Sequence, residues 1–413
     1  MIIEEITGRI ARDLEYLKRF TATPGSGCTR LPFTKEARQA VDFLSGLMRE
    51  VGLEVREDAA GNVFGVLKGE DPTLPCVMMG SHYDSVIHGG DYDGIAGVVC
   101  AIEVARQLKE SGAELKKNFV VAGFCDEEGM RFGTGYFGSG AMLGHRDVEY
   151  CKKFADADGI TIYDAMKAYG LDPEKIGEAA WDEGSIGFFL EAHIEQGPVL
   201  DAEKVQVGLV DCIVGIQRYM ITVHGRADHA GTTPMDMRID AVEAASKVIA
   251  KIPDWAREKA DGTVATTGFV RVTPGGMNIV AEKCEFTVDI RSKNNDNIND
   301  IARRIRAQLD REMKYNGGSY EMDTKLVIEP VYLCQDMLSV MEESCKAHHY
   351  SYRYLPSGAG HDSLEIGQSI QAAMLFVPSK DGRSHCPDEF TKYSDFSRAT
   401  VIMTELVEKL LGK

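Results

Sequence analysis

Hydrophobic and polar positions along this chain follow two rhythms. Apolar residues recur at helical spacing over 3–20 and 34–51, which predicts two amphipathic helices joined by the loop 23–32. Thr34 is placed to cap the second helix and Gly52 to stop it. Strand-like segments follow at 53–56 and 62–67. Continuous apolar runs at 76–79, 118–124, 186–192 and 372–377 predict buried strands of the kind a parallel sheet contains. An apolar helix is expected over 95–108, surface helices and connections over 147–182, and helices at 337–348 and 393–411. The glycine-rich stretch 133–144 is expected to pack close to the loops that carry the candidate site residues.

Near residue 212 the rhythm changes. Residues 215–224 alternate as a strand with one exposed face, 235–252 reads as a helix, and 263–272 and 284–291 read as strands. A helix at 296–315 and a strand at 319–328 complete a βαββαβ order, the ferredoxin-like split motif, which can stand as a small domain. From 329 the earlier character returns. The expectation is an α/β core made of 1–212 and 329–413, interrupted by an inserted domain over 213–328.

Each buried strand leads into chemistry. The run 76–79 delivers His82, Asp84, a turn with glycines at 89, 90 and 94, and Asp93 at the mouth of a helix. The run 118–124 ends in Asp126-Glu127-Glu128-Gly129, and 186–192 delivers His193 and Glu195-Gln196-Gly197. The loop after 372–377 carries His385. Open α/β sheets bind ligands outside the carboxyl ends of their strands. One such loop alone reads equally well as a histidine facing solvent, but several strands delivering acid or imidazole at the same end do not.

His82, His193 and His385 with Asp93 and Glu128 form a nitrogen and oxygen set suited to two divalent ions, Asp93 being able to bridge them. Zinc, manganese, cobalt and nickel all accept such ligands. Asp84 is placed to receive the other ring N–H of His82. Glu127 is better cast as a general base than as a ligand beside Glu128. It would take a proton from a water whose pKa a metal lowers to about 7.

Composition narrows the field. A net charge of −18 argues against nucleic acid and anionic membranes as partners. No run reaches the length of a membrane span, and the N-terminal stretch is acidic and amphipathic, unlike a secretory signal. Ten cysteines without a Cys-x-x-Cys pair fit reduced thiols and a cytoplasmic location. There is no Gly-x-Ser-x-Gly elbow and no Walker-type phosphate loop.

His82-x-Asp84, Asp93-Gly94, Glu127-Glu128, the run from His193 to Gly197 and Ser384-His385 together resemble the M20 metallohydrolases. Within them, the chain resembles the hydantoinase/carbamoylase branch of N-carbamoyl-L-amino acid hydrolases, β-ureidopropionases and allantoate amidohydrolases, from Thr29-Arg30-Leu31 to Pro387. The resemblance implies a metallopeptidase-like catalytic domain, with a mixed central sheet flanked by helices, and an inserted ferredoxin-like lid that also forms a homodimer. It implies that His82 and His193 hold one ion, Glu128 and His385 the other, with Asp93 between and Glu127 as base. Arg218, His229, Asn278 and Arg291 match the substrate-binding positions of the lid, and Gln196 and Gly360 those of the catalytic domain. A guanidinium fork such as that of Arg291 suits a substrate carboxylate, and His229 could donate to the oxyanion formed at the ureido carbon.

The implied reaction is metal-dependent hydrolysis of a ureido C–N bond, releasing ammonia and carbon dioxide. Residues 213–219 and 352–362 resemble allantoate amidohydrolases, departing from their pattern at Ile216 and Pro356, so allantoate leads and N-carbamoyl-L-amino acids follow. Cleavage of N-acyl amino acids or dipeptides, as in other M20 branches, is the enzymatic alternative. A non-catalytic binding protein on the same fold is the remaining one; such a chain usually loses a ligand or the base, and all are present here.

Overall fold

A computed structural model describes residues 3–412; Met1, Ile2 and Lys413, at the ends of the expected core, lie outside the described residues. The chain divides into two compact units, Met1–Asp211 with Tyr332–Lys413, and Cys212–Val331.

The first unit is built on a nine-stranded mixed sheet. Its middle is the parallel set Phe119–Phe124, Cys76–His82, Ile186–Ile194 and Gln371–Val377, in that spatial order. Antiparallel strands extend it on both sides, Val63–Leu67 and Glu54–Glu57 on one and Val207–Ile213 on the other. Cys76–His82 and Phe119–Phe124 are buried at every position, which is why they read as unbroken apolar runs. From Cys76–His82 the chain first adds a strand on one side and later one on the other, so its carboxyl end is a topological switch point.

Helices cover this sheet. Ile3–Leu17 and Lys35–Val51 each bury one apolar stripe, and Thr34 caps the second by accepting from the amide of Ala37. Ile95–Ser111 is buried on nearly all sides and packs against Cys76–His82 and the last helix, Tyr393–Leu411. The glycine-rich stretch packs as expected, with amides of Tyr136, Phe137 and Gly138 donating to carbonyls of Glu127, Asp126 and Cys125 at 2.8–3.0 Å.

The second unit is an antiparallel sheet ordered Ser319–Ile328, Gly215–His224, Lys283–Ser292, Val264–Thr266, with Val270–Thr273 also pairing with Lys283–Ser292. Fourth, first, third, second is the strand order of the ferredoxin-like motif. Ile221 and Val223 on one face pack with Ala245 and Val248 of Ala241–Ile249 and with Ile301 and Ile305 of Asn295–Asn316. Two expected elements are broken. The helix over 235–252 is a short turn at Met235–Met237 and a helix that starts only at Ala241, where Asp240 accepts the amides of Val242 and Glu243. The strand over 263–272 is interrupted between Thr266 and Val270, at Gly268.

Candidate metal centre

The parallel strands deliver their side chains to one place. His385 Nε2 lies 3.0 Å from Asp93 Oδ2 and 3.2 Å from Glu128 Oε1. His193 Nε2 lies 3.2 Å from Asp93 Oδ1, and His82 Nε2 stands 3.8 Å from both Asp93 Oδ1 and Glu127 Oε2. Candidate ligand atoms of His82, Asp93 and His193 fall within 4.8 Å of one another, as do those of Asp93, Glu128 and His385. Asp93 belongs to both triads and offers one oxygen to each.

Hydrogen bonds at the far side of each ring aim these atoms. His193 Nδ1 is 2.9 Å from the carbonyl of Ile194, and His82 Nδ1 is 3.2 Å from the carbonyl of Asp84. A carbonyl only accepts, so both imidazoles carry a proton on Nδ1 and turn Nε2 inward. His193 Nε2 and Asp93 Oδ1 are buried 3.2 Å apart, and neither has a hydrogen-bond partner elsewhere. That donor set, mixed nitrogen and oxygen around a buried deficit of positive charge, fits divalent cations.

The electrostatics agree. Hydrogen bonds to Asp93 and Glu128 push His385 up to about 10. Burial works to raise Asp93, but the imidazoles of His193, His385 and His82 hold it well below the usual carboxylate range. Burial pushes Glu127 well above that range, against the pull of His82 and with the charge of Glu128 adding to the rise. A carboxylate kept basic beside the ligands suits a proton acceptor.

Asp84 faces both the other ring nitrogen of His82 and the loop after Phe119–Phe124. Its carboxylate stands 3.5 Å from His82 Nδ1, while its oxygens accept the amides of Glu127 at 3.1 Å and Glu128 at 3.3 Å. It therefore orders the loop that presents Glu127 and Glu128, and its main-chain carbonyl takes the ring N–H.

The turn into Ile95–Ser111 requires glycine at one position. Gly94 has φ +65°, and a Cβ there would sit 2.3 Å from the His82 ring. Asp126, Gln196 and His385 also hold positive φ, between 54° and 57°, without being glycine. Such conformations collect at functional sites because surrounding structure must enforce them.

Gln196 donates from its side chain to Asp93 Oδ2 at 2.9 Å and lies 3.3 Å from His385 Nε2, which puts it at the centre. Gly360 has no room for a side chain, since a Cβ would meet the Tyr136 hydroxyl at 1.8 Å. Its neighbour His361 packs edge-on against His193, centroids 4.4 Å apart, and bonds Ser357 Oγ at 2.8 Å. His361 and the buried Glu389 are residues that sequence reasoning passed over. Glu389 accepts the amides of Tyr92 and Asp93 and the hydroxyl of Ser384, so it joins the loops of two ligand candidates, Asp93 and His385. Nothing local marks Glu389 in the sequence; His361 stood in a segment singled out for its likeness alone.

The remaining candidates lie in the second unit. Arg218 and Arg291 share Asp289, with Nε of Arg218 on Oδ2 at 2.7 Å and Nε and Nη2 of Arg291 on Oδ1 and Oδ2 at 2.8 and 3.2 Å. His229 is exposed, and its Nδ1 accepts the amide of Gly231 at 3.0 Å, which leaves the proton on Nε2. Asn278 is brought beside it by a bridge between His229 and Ile279.

Residues 73–409 match peptidase family M20/M25/M40. The chain belongs to that family. Among M20/M25/M40 relatives, an N-carbamoyl-L-amino-acid amidohydrolase of Paenarthrobacter aurescens is 39% identical over 402 residues, 97% of each chain. An allantoate amidohydrolase of Bacillus subtilis (strain 168) is 34% identical over 397 residues, 96% of each. A solved hydantoinase/carbamoylase family amidase from Burkholderia multivorans matches the fold with a TM-score of 0.91 at 30% identity, covering 98% of both chains. Among the described residues no helix is long and apolar enough to cross a membrane.

Proposed function

We propose that this M20/M25/M40 family member hydrolyses the ureido C–N bond of an N-carbamoyl-L-amino acid, using two divalent ions and releasing ammonia and carbon dioxide. The observation that carries this reading is the pair of ligand triads sharing Asp93, with Glu127 beside them. His82 and His193 would hold one ion and Glu128 and His385 the other. Ions bound there supply Lewis acidity toward the carbonyl and acidify water to a pKa of about 7.

The chain's own groups do the rest. Glu127, kept basic by burial, takes the proton of the attacking water and passes it to the leaving nitrogen. His229, with its proton on Nε2, donates to the oxyanion that develops on the ureido carbon. Arg291 and Arg218, oriented by Asp289, bind the substrate carboxylate, while Asn278, Gln196 and Gly360 shape its surroundings. In this reading residues 213–328 act as the lid. The same domain forms a homodimer through the sheet edge, where Val264 and Val270 are 52% and 51% exposed. All ten cysteines are free, which supports a cytoplasmic setting.

The substrate choice follows the stronger likeness, 39% to the carbamoylase of P. aurescens against 34% to the allantoate amidohydrolase of B. subtilis. Allantoate is the second reading, favoured by residues 213–219 and by Arg218 standing with Arg291 on one carboxylate. A panel of N-carbamoyl-L-amino acids, allantoate, N-acyl amino acids and dipeptides on zinc- or manganese-loaded protein decides. Ammonia from N-carbamoyl substrates is expected; amino acid release from dipeptides without ammonia from any ureido compound would overturn the proposal.

A further inference from the structure

We propose that the first unit carries a binding site for a small multivalent anion, of phosphate or polycarboxylate type, separate from the metal centre. A groove of about 490 Å³ runs between the segment around Leu200–Gln206 and the segment Pro378–Arg398. Lys204, Lys380, Lys392 and Arg398 line it, with Asp201 and Asp395 as its acids. Both acids are engaged. Asp395 pairs with Arg398, and Asp201 Oδ2 accepts the amide of Asp381 at 2.8 Å. Among the described residues the three lysines have no ion-pair partner. The groove thus holds an excess of positive charge in a chain whose net charge is −18. Leu200, Val205, Pro378 and Phe390 supply an apolar floor. Three lysines lining one groove over such a floor suit a compact anion with two or more charges, bound largely by screened Coulombic attraction.

The groove contains none of the metal-ligand candidates, yet the chain that lines it runs on to one of them. Lys380 opens the turn Lys380–Gly382 that leads to His385. Ser379, just before it, accepts the Gln196 amide at 3.0 Å, and the Lys380 amide donates to Phe390 at 2.9 Å. An anion seated on Lys380 and Lys392 therefore rests on the segment that carries one metal ligand.

Calorimetric titration of the metal-loaded protein with inorganic phosphate, and separately with citrate, tests this in low and high salt. Saturable binding is expected at low salt, weakened by added chloride and by at least about tenfold in the variant Lys204→Ala/Lys380→Ala/Lys392→Ala, the combined effect of three exposed charge contacts. Whichever of the two anions shows that loss names the occupant's chemistry. Binding of equal strength in the variant would belong to the metal centre and overturn the proposal, as would no saturable binding of either anion. Ureido turnover is not the readout, so the outcome is independent of the substrate assignment.

Discussion

Glu389 closes the loop of Asp93 from the far end of the chain: its Oε1 accepts the amides of Tyr92 at 3.0 Å and of Asp93 at 3.2 Å, while its Oε2 accepts the Ser384 hydroxyl at 2.7 Å. A single buried carboxylate so fixes Asp93, shared by both candidate triads, and the residue before His385. Glu389→Gln keeps one acceptor but turns an amide toward Ser384. We expect metal affinity to fall by about 10- to 100-fold, the usual cost of losing a partner that orients a ligand. Titration with a chromophoric chelator competitor reads the loss, and an unchanged affinity would show that Glu389 only fills space.

Glu127 is a distinct case, since the proposed mechanism casts it as the base although it also stands in a possible ligand group with His82 and Glu128. Glu127→Gln is expected to retain both ions, by elemental analysis, and to lose about 10²- to 10⁴-fold in kcat, the range for removal of a positioned general base. Full activity in this variant would remove the mechanism. Loss of metal together with activity would make Glu127 a ligand instead.

Gly94→Ala probes backbone and site at once. The residue must keep φ +65° and would place a methyl 2.3 Å from the His82 ring, so ring or turn has to move. The expected result is a folded protein with reduced metal content and a melting temperature lowered by several degrees, as a loss of about 1–3 kcal/mol produces in a domain of this size. Calorimetry and metal analysis on one preparation suffice.

The outcome of reading the sequence follows from where information is local. Cys76–His82 and Phe119–Phe124 were legible because strands buried on both faces must be apolar throughout, and the residue that ends such a run announces a loop with work to do. Strand alternation in Gly215–His224 and Lys283–Ser292 was equally plain, one face packing on helices. Periodicity misled where a side chain rewrote the backbone: Asp240 starts a helix that hydrophobic spacing begins at Met235. It was silent on Val207–Ile213 and Tyr352–Ser357, whose strand character comes from partners distant in sequence. Glu389 was invisible for the same reason, because its meaning lies in two amides nearly three hundred positions away.

Removal of metal should be felt as stability as well as activity. Asp93, Glu127 and Glu128 are crowded carboxylates, and a cation held among them would bind only the folded chain. With free metal at about a thousand times its dissociation constant, the gain is about 4 kcal/mol. Dialysis against a chelator is therefore expected to lower the first melting transition, and zinc or manganese to restore it. Asp93→Asn, which removes the shared charge, should melt at one temperature with or without metal. A chelator that abolishes turnover but leaves the wild-type transition unmoved would argue against buried, folding-linked ions.

Arg291 separates substrate binding from fold. Its guanidinium takes both oxygens of Asp289 and that of Arg218 takes Oδ2, an arrangement that costs two cations their freedom and leaves them held side by side on the face of the sheet away from the helices. A pair this exposed contributes little to stability, about 1 kcal/mol or less, so its geometry is better explained by what it presents than by what it holds together. Arg291→Lys keeps the charge but loses the planar fork, and KM for the carboxylate-bearing ureido substrate is expected to rise about tenfold or more with kcat changed far less. Asp289→Asn should raise KM as well, through misplaced arginines, while shifting the melting temperature by no more than a few degrees. An equal loss in kcat and kcat/KM for Arg291→Lys would mean that the guanidinium acts in the transition state. A large fall in melting temperature with unchanged KM would reduce all three residues to a structural clamp.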